Sequence, residues 1–148
     1  MPITGYKEVA ANLRLMAAAA TPAARKRARK KALQPVIETA KQILRANGNV
    51  ETAALVNKVG VGDGRKENES LAGARRGRRG RFNRVSSRYQ HLVEFGTAPH
   101  YQPNRFGGFM HPGARPYPHM RPAFEQHKAG IAKAYFGEIW TTIARAVK

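Results

Sequence analysis

The chain has 148 residues, with 27 Lys+Arg against 9 Asp+Glu, a formal net charge of +18. One domain is the default at this length, and about two-thirds of the unfolded chain's surface can be buried without staples; the 42% hydrophobic content excludes wholesale disorder. With no cysteine, disulfides, thiolate metal centres and cysteine nucleophiles are excluded, and a polycation points to anionic partners: nucleic acid, a membrane surface or an acidic protein face.

No run reaches the roughly 18 apolar residues of a membrane span. Residues 1–20 include Glu8 and lack a basic segment ahead of a clean apolar stretch, so the chain reads as soluble and unsecreted. Residues 3–19 predict a short helix with Val9, Leu13 and Met16 on one face. Thr21-Pro22 is a strong helix start, since Thr accepts from free N–H groups and Pro suits the first helical position. In the helix that follows, Leu33, Val36, Ile37, Ala40, Ile43 and Leu44 form one apolar stripe, and Asn47-Gly48 ends it. Pro35 removes a backbone donor inside this pattern, which predicts a kink near 31–35 or a break into two helices. The first half of this helix (Arg25, Lys26, Arg27, Arg29, Lys30, Lys31) is almost wholly basic and reads as solvated or laid against something negative.

Residues 53–61 read as a strand with Leu55, Val59 and Val61 on one face. A basic segment, 62–84, follows; Arg75, Arg76, Arg78, Arg79, Arg81 and Arg84 fall in it without an acid among them, a stretch that orders only against a partner. Residues 85–95 predict a strand through Val85, Ser87 and Tyr89, then a helical turn at Leu92 and Val93 that ends at Gly96. From 96 to 122, six of nine prolines gather with four aromatics and three histidines, which reads as one long ordered loop. A last helix over 121–147 carries Phe124, Ile131, Tyr135, Ile139, Ile143 and Val147 on its stripe, with Trp140 beside it. Ile37, Ile43, Leu44, Ile131, Tyr135 and Ile139 are the expected shared core.

Signals for chemistry are thin. Gly60-Val61-Gly62-Asp63-Gly64 fails the spacings of phosphate-binding loops and reads as a strand-ending turn. Ser87, His91 and Glu94 share a helix face at offsets 0, 4 and 7, but without a nucleophile elbow a polar helix face explains them. His100, His111 and His119 lack the spacing of helix-borne ligands and read as loop histidines bonded to backbone carbonyls. No catalytic residue, cofactor site or metal site is assigned.

The string Val93-Glu94-Phe95-Gly96-Thr97, a Pro-rich loop, then Ala114-Arg115-Pro116-Tyr117-Pro118-His119-Met120-Arg121-Pro122-Ala123-Phe124 resembles the EFGT…ARPF-x-x-PA signature of a tail-completion or neck family of long-tailed bacteriophages. The order of elements is similar over nearly the whole chain. Two departures stand out: Asn49-Val50-Glu51-Thr52-Ala53-Ala54-Leu55 lacks the family's Pro and Gly before the first strand, and the loop between the two halves of the signature is longer. The resemblance implies an α+β fold. Here that means a small antiparallel sheet packed by the long N-terminal helix, kinked near Pro35, and by the C-terminal helix, with a long basic loop.

It also implies a non-enzymatic virion protein of the neck or top of the tail, present in host cytoplasm during assembly. Its partners are other copies of itself in a hexameric or dodecameric ring, adjacent head-closure, tail-terminator or tail-tube rings, and packaged double-stranded DNA. The expected subunit or ring contacts are Glu94, Phe95, Gly96, Thr97, Phe109, Arg115, Pro116, Tyr117, Arg121 and Pro122. Gly96 ends the helical turn in the left-handed conformation, and Arg115 and Arg121 flank the last helix with Glu94 as their partner. The expected contacts to DNA or an acidic neighbour are Arg25, Lys26, Arg29, Lys30, Arg75, Arg76, Arg78, Arg79, Arg81, Arg84 and Arg88, because phosphate neutralisation needs only charge and reach. The alternative is a standalone nucleic-acid-binding protein using the arginine-rich arm; a hydrolase resting on Ser87 and His91 is the remote one.

Overall fold

A computed structural model describes residues 5–47, 54–66, 68–74, 85–103 and 107–147. The first helix, α1 (Tyr6–Ala19), follows Gly5 and buries none of its residues. Its stripe is left open, with Val9 and Leu13 exposed. Thr21 Oγ1 then accepts from Ala24 N at 3.1 Å and Pro22 opens α2 (Pro22–Ala46), as the sequence dictates. This helix runs unbroken through Pro35 rather than splitting in two, and Asn47 N closes it by donating to Ile43 O at 3.1 Å.

The buried face of α2 is a row at every fourth residue: Ala24, Ala28, Ala32, Val36, Ala40 and Leu44, with Ile37 beside it. The basic half therefore hides an alanine ridge between its cations. Small side chains let a neighbouring helix or strand approach closely, and α2 packs on both the terminal helix and the first hairpin.

Next come α3 (Ala54–Lys58), β1 (Val59–Asp63) and β2 (Ser70–Ala74). The strand expected over 53–61 is thus half wrong: its first part is a helical turn. Val56 and Val59, three apart, are the buried pair, so the core selects the helical spacing over the alternation of Leu55, Val59 and Val61. β1 and β2 pair antiparallel from Val59 with Ala74 to Asp63 with Ser70, so part of the basic segment expected over 62–84 is a hairpin.

The helix α4 (Val85–Phe95) takes up the whole of 85–95, and the expected strand there is absent. Its helical form sets Gln90 on the hairpin, where Oε1 accepts from Ala74 N at 2.6 Å, and leaves Val93 and Glu94 facing the start of the last helix. The Pro-rich stretch contains a second antiparallel hairpin, β3 (His100–Gln102) and β4 (Phe109–His111), where a loop was expected. Finally α5 (Met120–Ala146) runs antiparallel to α2, with Lys31 meeting Glu138 and Thr39 Oγ1 lying 2.8 Å from His127 Nε2.

The core joins Val36, Ile37, Ala40 and Leu44 of α2 to Val56, Val59 and Ala123. Ile43 and Ile131 pack against it half-buried. Tyr135, Ile139 and Ile143 are also only half-buried, and Phe124 and Val147 are exposed, so the stripe expected on the last helix is half-buried along its middle and open at both ends. Two antiparallel hairpins and the long flanking helices make the fold α+β. Among the described residues no helix is long and apolar enough to cross a membrane.

Candidate functional site: a capped helix start beside an exposed hairpin

A helix begins with N–H groups that its own backbone cannot satisfy, and the residue before α5, His119, offers them no side-chain acceptor. Glu94, at the end of α4, does so from 25 residues away. Its Oε2 accepts from His119 N at 2.9 Å and Met120 N at 3.0 Å, and its Oε1 from Arg121 N at 3.0 Å. The His119 ring, 0% exposed, places Nδ1 2.9 Å from the same Oε2. An anion here also meets the positive end of the helix dipole. Burial pushes the Glu94 carboxyl up, but the backbone donors of His119, Met120 and Arg121, together with the His119 ring, outweigh it and hold the group below its usual range.

The expected pairing of Glu94 with Arg115 and Arg121 is not what forms. Both arginines lie exposed, while Glu94 is 8% exposed and its oxygens are engaged by backbone N–H groups. A buried carboxylate aimed along a helix axis is reached most directly by that helix's own first N–H groups. Glu94 is also the only acid between residues 70 and 124, a signal that its role is singular.

The two halves of the EFGT…ARP signature fold against each other. Gly96 has φ +71°, and a Cβ there would stand 2.5 Å from Ala114 O and 2.9 Å from Pro116 N, so only glycine fits. Thr97 and Ala114 exchange backbone hydrogen bonds at 2.9 and 3.0 Å, and Tyr117 N donates to Val93 O at 2.7 Å. From this clasp β3 and β4 project, with the rings of His100 and His111 stacked 5.1 Å apart. Phe95 is 74% exposed, and Tyr101, Phe109 and Met110 are exposed with it. Pro116 and Pro122 are exposed too, whereas Gly96, Thr97 and Tyr117 are half-buried within the clasp.

The basic half of α2 is not a bare cationic face. Lys26 and Lys30 grip Asp63 at 2.9 and 3.1 Å and hold its carboxyl below the usual range. Lys31 does the same to Glu138 at 2.5 Å, and Arg29 Nε donates to Ser70 Oγ at 3.3 Å. Arg25 is half-buried, and its Nε is buried without a hydrogen-bond partner. Arg75, Arg76, Arg78, Arg79, Arg81 and Arg84 lie outside the described residues, as does the side chain of Arg88.

His91 is exposed on α4, while the Glu94 carboxylate that would orient it is committed to α5. Among the described residues no group of three His, Asp or Glu side chains could hold a metal ion. Sequence reasoning missed the alanine ridge and the enclosure of His119 against Glu94; its reading of loop histidines bonded to backbone carbonyls holds for His100 Nδ1, 3.0 Å from Ala98 O, and for His119 Nδ1, 3.4 Å from Tyr117 O. Compared with known proteins, the chain matches no family model, no curated protein and no solved structure.

Proposed function

We propose that the chain is a structural subunit of a bacteriophage neck or tail-completion ring, at the junction of head and tail. The observation that carries this reading is the joint folding of the two signature halves. Glu94, Gly96, Thr97 and Ala114 form a clasp around the start of α5, and the clasp holds out a hairpin with exposed Tyr101 and Met110 beside Phe95. A rigid mount for exposed apolar side chains has a use when a neighbouring subunit covers them. The resemblance at residues 93–124 supports another copy in a closed ring as that neighbour.

The net charge favours a second reading, a standalone nucleic-acid-binding protein, because +18 remains after all nine acidic residues, Asp63 and Glu138 among them, have been counted. The two readings separate in a phage whose particles carry this chain. Removing it should leave filled heads and separate tails, wild type should restore joining, and Tyr101→Ser with Met110→Ser should not. Particles that join normally without the chain would overturn the ring reading.

A further inference from the structure

An open groove of ≈ 610 Å³ runs between α2 and α5. Its floor is apolar: Leu33, Phe124, Ile131, Tyr135 and Phe136. Phe124 and Phe136 are substantially exposed, the latter at 66%. Among the described residues its charged lining is cationic, from Arg25, Arg29 and Lys128. Arg29 is bonded to Ser70 and Lys128 to Glu125, but Arg25 brings a guanidinium whose buried Nε has no hydrogen-bond partner.

The geometry points to a docking site for an acidic amphipathic helix of another protein. Three features select that occupant. The groove lies along α5 from Phe124 to Phe136, about 18 Å at the helical rise, which matches about three turns of a partner helix. Two antiparallel helices leave between them the kind of furrow into which a third helix's ridge packs. The cations that line the groove beside its apolar side chains call for carboxylates flanking an apolar stripe, the pattern of a helix whose Glu or Asp side chains border its Leu or Phe side chains. Duplex DNA fits less well, since its phosphates find no use for the floor, and a second copy brings more positive charge to a positive edge. The inference stands apart from the neck reading and holds for any assembly that contains this chain.

The test uses the purified full chain and three probes: a helical peptide of about 14 residues with a Leu stripe flanked by Glu, the same stripe flanked by Lys, and a short DNA duplex. The Glu-flanked peptide should bind at least tenfold more tightly than the Lys-flanked one. Phe136→Ala and Lys128→Glu, both at exposed positions, should each weaken it at least fivefold while circular dichroism is unchanged. Backbone amide shifts on α5 should move at residues 124–136 when it binds. Equal binding of the two peptides, or peptide binding that both variants leave intact, would overturn the proposal. So would duplex binding that the two variants abolish while the Glu-flanked peptide fails to bind.

Discussion

The two ends of α5 are held by opposite means. At its start, one buried carboxylate satisfies three backbone donors, His119 is wholly enclosed and Ala123 is fully buried. Further along, Phe136 and Trp140 stand exposed, and the antiparallel contact with α2 includes surface pairs such as Lys31 with Glu138. The backbone donors at the first end are satisfied by a buried side chain, whereas the second end leaves aromatic side chains open. A chain built this way keeps a fixed internal joint and leaves apolar side chains further along α5 exposed.

Breaking the joint should give the largest effect. Glu94→Ala leaves buried N–H groups and His119 without their acceptor and should cost about 3 to 5 kcal/mol, read by chemical denaturation. Glu94→Gln, which keeps an acceptor oxygen, should cost distinctly less. If Glu94→Ala costs under about 1 kcal/mol, the cap is not what fixes the start of α5. Gly96→Ala should come next, at about 2 to 4 kcal/mol, because a left-handed residue gains both backbone strain and a clash with Ala114 O.

Acid should sharpen the comparison without mutation. The Glu94 carboxyl is depressed in the folded protein, so its contribution is fully present above the unfolded value, near 4.5, and is lost as pH falls from there through the folded value. Urea midpoints of wild type should drop more steeply below pH 4.5 than those of Glu94→Gln. Parallel curves would contradict the assignment. At the small end, Tyr101→Ser with Met110→Ser should change stability by less than about 0.5 kcal/mol, since both side chains are exposed.

The same contrast explains what the letters revealed. Thr21-Pro22, Asn47 and Gly96 act through local backbone chemistry, and each behaves as its residue type requires. The alanine ridge escaped because Arg and Lys surround Ala24, Ala28 and Ala32, and a small residue's burial depends on what lies opposite it. Residues 54–58 and 85–89 are short enough that two periods fit the same letters; contacts of Val56 with the core and of Gln90 with Ala74 decide for helix. Ile43, expected in the core, is half-buried, so Ile43→Ala should cost about 1 to 2 kcal/mol, below the fully buried range. The Glu94 cap was half legible: Glu94 was expected as a partner at the entry to the last helix, but backbone donors carry no letter, and the arginines were the visible candidates.

The most direct test of the central claim is to image the purified chain by electron microscopy, with and without the Tyr101→Ser and Met110→Ser changes. The account predicts closed rings of one copy number from the wild type and single subunits from the variant. A wild type that stays monomeric at every concentration, and binds duplex DNA with an affinity that falls steeply with salt, would contradict it.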